Sequence, residues 1–485
     1  MASPLGSDQC SYPDEACPAG YSWSELSGSI SGVCVADVDG GIDAPIDSPL
    51  DSAIPIDGPS ATGWAHTFSS PGVDVANGLT ADTGGNVYVV GSFSDNGILA
   101  GQPVASGGGT DAYVVKISPA GQTLWVRRFG GTGIDTAHGV AARADGIVVV
   151  GSFSGTVDFG TGSVTAEGAG DSFVLALTSS GETDWVARGG GSGSAAQFVS
   201  VAVDGVQNIF VSGEFSGTAN FGGDNLTSVS QKDIVIARYT AGGLHTWSRR
   251  YGDTGGSGLT AGLDVLANGN IVTAGTFTGT IDFGGGPLTS AGTNDVFVAI
   301  LTNGASEIRS LRFGSPNSDI AKSVRATPVG FAIAGCFAAT ASFGSAQHVS
   351  AGSFDAFVAA FDSGGNGLWS QALGSTQSEC AQAIAVKPSG NVLATGTFKG
   401  SMSVGAASLT SAGTEDIWLV EFAGTGGASL TARRGGGAAS DAPTAITAIG
   451  ASFALAGNSL GAADMFGQPL VTGGLMDGFV VQSLQ

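Results

Sequence analysis

The hydrophobic and polar positions fall into short runs, never into a long amphipathic stripe. One representative stretch holds four: Gly139–Ala144, Ile147–Phe153, Ser172–Leu177 and Thr183–Arg188. β-Branched and aromatic residues fill these runs and glycine-rich turns separate them, which predicts short strands. The first two runs join through a tight turn at Gly146, and glycine recurs there as Gly85, Gly205, Gly269, Gly330, Gly390 and Gly450. Glycine supplies the positive φ of a hairpin turn without strain. The third and fourth runs join through another short turn, such as Ser118-Pro119-Ala120-Gly121.

Three recurring anchors keep one register through seven copies. Gly-x-Phe occurs at Gly91/Phe93, Gly151/Phe153, Gly213/Phe215, Gly275/Phe277, Gly335/Phe337 and Gly396/Phe398, with a degenerate copy at Gly457/Ser459. An aspartate opens an apolar run at Asp111, Asp171, Asp233, Asp295, Asp355, Asp416 and Asp477. A tryptophan stands at Trp64, Trp125, Trp185, Trp247 and Trp369, with Arg309 and Thr431 in the two remaining copies. Residues 61–485 therefore hold seven repeats of about 61 residues with four antiparallel strands each. That predicts an all-β, seven-bladed β-propeller. A parallel β-helix needs shorter repeats and no recurring hairpins.

The phase of the repeat predicts how the ring closes. With strands named a to d from the axis outward, the chain enters on a d-type strand (Trp64–Phe68) and leaves on a c-type strand (Gly478–Leu484), and Trp64–Phe68 is expected to pair with Phe479–Leu484. Pairing of the two removes exposed edges. The b-to-c connections, for instance 154–171, are the longest, and their face is the expected functional face.

Charge divides the chain. The total is −23, and residues 1–60 hold ten acids with no Lys or Arg. Residues 1–36 form a small segment with Cys10, Cys17 and Cys34, whose spacing fits no standard zinc pattern. Residues 37–60 alternate Asp, Pro and Ser and read as an acidic linker. The acidic balance argues against nucleic-acid binding, and no apolar stretch reaches 18 residues, so no transmembrane helix is expected. No basic or apolar leader follows Met1. The cysteines and linker nevertheless look exported, so the expectation is either a true start upstream, with an export signal or lipid anchor, or a processed form.

The pattern W-x-[RA]-R-x-G-G, then G-N-[VI], G-x-F and D-x-F-V, is carried by Trp125–Gly131, Gly269–Phe277 and Asp355–Val358. It resembles the SBBP-type seven-bladed β-propeller repeat family of bacterial secreted and cell-surface proteins. The Cys-containing start and acidic linker look like those of exported bacterial lipoproteins. The resemblance implies a surface-tethered binding or scaffold protein at the cell surface or outer membrane, expected as a monomer, meeting a protein or glycan of the envelope. The alternative is a carbohydrate hydrolase or lyase with its site near the axis.

No catalytic, cofactor or metal residue is assigned. The seven aspartates suit structural turns, since catalysis breaks repeat symmetry at one site and structure preserves it. The tryptophans suit packing between blades. Quinone-dependent propeller dehydrogenases share the Gly-to-Trp spacing but also carry adjacent cysteines, absent here, and Ser118-Pro119-Ala120 fails the sialidase Asp-box. Arg128, Arg188, Arg250, Arg312 and Arg434 share one repeat position and suit pairing with a nearby acid or carbonyl. One Asp per loop, as in Ser154–Gly160, is thin for calcium, which needs six to eight oxygens. The phenylalanine there is expected to plug its loop onto the blade. His66, His138, His245 and His348 fall at different repeat positions. Cys336 and Cys380 fall on one face of adjacent blades, where a disulfide is feasible and two buried thiols are the alternative.

Overall fold

The computed structural model describes Tyr21–Ser22, Val35–Ala36, 63–254 and 256–483. Two compact units divide at residue 60. In the first, Tyr21–Ser22 pairs antiparallel with Val35–Ala36. Cys10, Cys17, Cys34 and the 37–60 linker lie outside the described residues.

The second unit is a seven-bladed β-propeller of four-stranded antiparallel blades, with no helix among the described residues. Blade 2 shows the pattern: a is Thr136–Arg143, b Gly146–Phe153, c Asp171–Thr178 and d Thr183–Gly189. The other innermost strands are Val75–Ala81, Ala195–Val203, Ser257–Val265, Asp319–Thr327, Cys380–Val386 and Asp441–Ile449. Strand d of blade 7 is Trp64–Ser69, which pairs with Asp477–Ser483 in the register Trp64 to Gln482 and Phe68 to Gly478. First and last strands thus close the ring.

The core lies in the seams between blades. On strand b of blade 2, Ile147 and Val149 pack toward blade 1 while Val148 and Val150 pack toward blade 3. Both sheet faces are buried, so this strand reads as a continuous apolar run. Each such valine contributes roughly 1.5–3 kcal/mol relative to exposure.

Two local features differ from the sequence expectation. The recurrent a–b turn glycine has positive φ in Gly85, Gly269, Gly390 and Gly450. Gly146 and Gly330 instead open strand b, where a Cβ would stand 1.9 Å from Leu177 O and 2.2 Å from Phe361 O. In blade 3 the positive φ passes to Gln207. Close backbone approach, not turn geometry alone, demands glycine there.

The long b–c connections are also not free loops. Each folds into a small hairpin, such as Thr156–Asp158 with Ser163–Thr165, and reaches back over the preceding blade. The hairpin of blade 1 pairs Leu99 with Phe68 of blade 7, and that of blade 7 pairs Asp464 with Gly436 of blade 6. Phe159 plugs into the seam, its ring 6.0 Å from Phe129 of blade 1. Asp158 accepts the N–H groups of Gly160 and Gly162 in its own turn, at 2.7 and 3.2 Å.

Candidate functional site

The recurrent aspartates stand at the start of strand c, and none is more than 4% exposed. Each accepts the backbone N–H four residues upstream, as Gly107 N to Asp111 at 2.6 Å and Ala291 N to Asp295 at 2.7 Å. Five also pair with an arginine on strand d of the same blade: Arg128–Asp111, Arg188–Asp171, Arg250–Asp233, Arg312–Asp295 and Arg434–Asp416, at 2.5–3.0 Å. These carboxylates are occupied in fixing the fold.

A second set of buried acids, not singled out in the sequence, begins strand a: Asp74, Asp135, Asp319, Glu379 and Asp441. Each bonds a backbone N–H four residues upstream, as Gly131 N to Asp135 at 2.8 Å. Each faces the strand-c aspartate of the preceding blade. Burial pushes all five carboxyls up, the facing aspartate adds to the rise, and Asp74 reaches about 6. The position holds Ala196 and Gly258 in blades 3 and 4, and glutamate in blade 6, so the sequence repeat is too weak to announce it.

The tryptophans bind blade to blade. Trp125 Nε1 donates to Ser179 O at 3.1 Å, Trp185 to Ala241 O at 3.0 Å and Trp369 to Gly424 O at 3.0 Å, each on the c–d turn of the next blade. Trp64 reaches Pro119 O of blade 1 in the same way. Arg309 replaces it in blade 4, bonding Gly364 O and Asn366. Thr431 of blade 6 has no such turn to meet, because strands c and d of blade 7 come from opposite chain ends. A disulfide joins Cys336, on strand b of blade 5 (Gly330–Phe337), to Cys380 of blade 6.

The repeat is broken along the axis. Every strand a carries a β-bulge at the same level, and the extra residues are Asn77, His138, Val199, Ala261, Lys322, Gln382 and Thr444. A bulge re-aims one side chain, and all seven line one cavity of about 120 Å³ in the central channel. The position is structurally invariant and chemically different in every blade. Five successive blades, 5, 6, 7, 1 and 2, present polar side chains, and blades 3 and 4 present Val199 and Ala261.

Charge is equally uneven there. Lys322 and Arg325, on strand a of blade 5, line the cavity with no carboxylate among its lining residues. Arg325 donates to Val324 O at 3.0 Å, and neither cation forms an ion pair among the described residues. Burial depresses the His138 imidazole to about 4, so it stays neutral at pH 7. Further along the channel, a cavity of about 340 Å³ holds Arg325 and Asp264, whose Oδ2 accepts Ala326 N at 2.9 Å. Outward from Lys322, a cavity of about 470 Å³ reaches Glu214, a buried non-repeated carboxylate. Burial raises the Glu214 pKa, and Lys232 at 3.4 Å opposes the rise. His66 and His348 are bonded elsewhere, to Gly121 O and Ser370 Oγ, both at 2.8 Å.

No protein-family model and no curated protein matches the chain. Among solved structures, the Neurospora crassa Pan2 WD40 domain is 9% identical with a TM-score of 0.43, covering 87% of this chain and 96% of that one. An ulvan lyase of a polysaccharide lyase family is 11% identical with a TM-score of 0.43, covering 85% and 96%. A quinohemoprotein alcohol dehydrogenase from Pseudomonas putida is 11% identical with a TM-score of 0.39, covering 87% and 76%. A WD40 domain and two enzymes stand among these likenesses, which show the fold and speak to no particular activity.

Proposed function

We propose that the chain is an exported, surface-tethered binding propeller of the SBBP repeat type. It holds a protein or glycan of the cell envelope at the b–c end of its channel. The observation that carries this reading is the bulge ring. Seven identical backbone devices deliver seven different side chains to one opening; Asn77 and Thr444 also bond the backbone of the next blade, and the variety of the other five is what recognition requires and repeat packing does not. The disulfide fits an oxidising compartment.

Glu214 favours a second reading, hydrolysis or elimination on a saccharide, because a buried carboxyl beside a cavity is a usable acid–base group. Its cavity of about 470 Å³ is lined by no second carboxylate and no aromatic side chain. Glycoside hydrolysis commonly uses a carboxylate pair. The test probes a glycan and envelope-protein array with the full chain and with Gln382→Ala and His138→Ala. Binding that drops in either variant is the expected result. Saccharide turnover by the wild type that disappears in Glu214→Gln overturns the binding reading in favour of the enzyme.

A further inference from the structure

We infer that the bulge ring takes a saccharide bearing an oxyanion, a carboxylate or sulfate, with Lys322 and Arg325 as its charge partners. This rests on the binding reading above and names its ligand class.

Three observations converge on the oxyanion. The first is charge placement. The chain has 17 Lys and Arg against 40 Asp and Glu. Two of those cations nonetheless line the same narrow part of the channel, unpaired among the described residues, where no acid lines the wall. Leu79 and Ile446 border the same opening but are buried in the seams, so mostly polar groups surround the two cations there. The second is chemistry. Lys322 supplies a mobile point charge and Arg325 a planar fork, a pair matched to the oxygens of a carboxylate or sulfate. Gln382 follows one blade on and has no hydrogen bond among the described residues, so its amide is free for a hydroxyl or ring oxygen. Neutral His138 has Nε2 beside Ser152 Oγ at 3.4 Å, which leaves Nδ1 for a ligand. The third is size. A cavity of about 120 Å³ equals roughly four waters at about 30 Å³ each. It admits an acid group and part of a sugar ring, while Val199 and Ala261 across the ring suit an apolar sugar face.

The polar arc and the charge sit at the opening of the wider cavities, so a longer anionic chain can place its terminal residue at the ring and extend toward Glu214 and Lys232. Glu214 would repel a second acid group there, which favours a neutral second unit.

The experiment titrates the full chain by calorimetry with sodium sulfate, galacturonate, a galacturonate-terminated disaccharide and galactose, at low and high sodium chloride. Galacturonate and the disaccharide are expected to bind, and galactose not to. Loss of one charge-assisted contact in Lys322→Gln or Arg325→Gln should weaken binding about tenfold to a hundredfold. Lys322→Arg should keep most of the affinity, which separates charge loss from misfolding. Sulfate that binds as tightly as galacturonate identifies a free oxyanion as the occupant and overturns the saccharide part. Equal galacturonate affinity in wild type and both glutamine variants, or no galacturonate binding by the wild type, overturns the inference. If galactose or another neutral glycan binds and ignores Lys322→Gln, the oxyanion assignment falls while the binding propeller stands.

Discussion

The seven seams between blades divide into two kinds. Five carry an arginine on the strand-c aspartate. The seams after blades 5 and 7 do not, because Ala372 and Thr67 stand at the arginine position. Those two seams bring two buried acids together with no arginine on the strand-c aspartate, Asp355 with Glu379 and Asp477 with Asp74, whereas three other seams do so with one. The first of the two is crossed by the Cys336–Cys380 disulfide, and the second follows the closing strand, which pairs inside blade 7. The charge pair is thus missing in the blade whose outer strand comes from the other end of the chain and in the blade that is tied to its neighbour by the disulfide. At the seam after blade 5 the disulfide is expected to stand in for the arginine.

The comparison breaks most severely at the closing strand. Deleting residues 61–70 from the full chain removes Trp64, fully buried Phe68 and a whole edge of blade 7. Calorimetry should show loss of the cooperative transition or a fall in Tm of about 10 °C or more, on the scale of 2–4 °C per kcal/mol or less for a ring this large. An unchanged Tm would mean that strand d is dispensable.

The second tie should cost less. Cys336→Ser with Cys380→Ser opens a loop of 44 residues and should cost about 2–4 kcal/mol. Reduction should lower the Tm of the wild type but not of the double variant. Both cysteines alkylated in unreduced protein would show that the bond does not form.

Arginine seams come next. Arg250→Met leaves buried Asp233 without its partner and should cost about 1–3 kcal/mol, below the 3–5 kcal/mol of a fully buried pair because the arginine is 30% exposed. The converse change, Ala372→Arg in blade 5, should rescue up to about 1 kcal/mol, and more in the reduced protein than in the oxidised one. Equal effects in both redox states would end the idea that arginine and disulfide substitute for each other.

The smallest effect is in pH. Asp74 has a folded pKa of about 6 against an ordinary 3.8, so between those values the folded ring binds more protons than the unfolded chain. Stability then rises as pH falls from about 7 toward 5, by about 1 kcal/mol from this group. It is lost again as pH rises through 6. Asp74→Asn should flatten that part of the Tm–pH curve, and an unaltered curve in that variant would show that Asp74 does not carry the effect.

How much of this was legible in the sequence follows from what repetition records. Gly-x-Phe, the strand-c aspartates and the tryptophans recur because every blade needs them, so blade number, strand order and closure could be read directly. The Cys336–Cys380 proximity followed from strand direction alone. The second set of acids escaped because Ala196, Gly258 and Glu379 interrupt it. The hairpins in the b–c connections escaped because their strands are three or four residues long, with little alternation to detect. The bulge ring escaped for a deeper reason. Asn77, His138 and Lys322 share a backbone role but no chemistry, so a search for recurrence passes over the residues that make this ring unlike another of the same fold. A position without pattern, flanked by positions with one, was the signal available.

The closing strand also sets an order of events during synthesis. Trp64–Ser69 leaves the ribosome before the rest of the ring, yet its partner Asp477–Ser483 is the last of the ring's strands to be made. Blades 1 to 6 have all their strands in hand by then and can assemble one upon another, but Phe68 has no seam to enter until strand c of blade 7 is made. The growing ring therefore stays an open arc with two unsatisfied edges until that strand appears, and a single late pairing turns the arc into a closed ring.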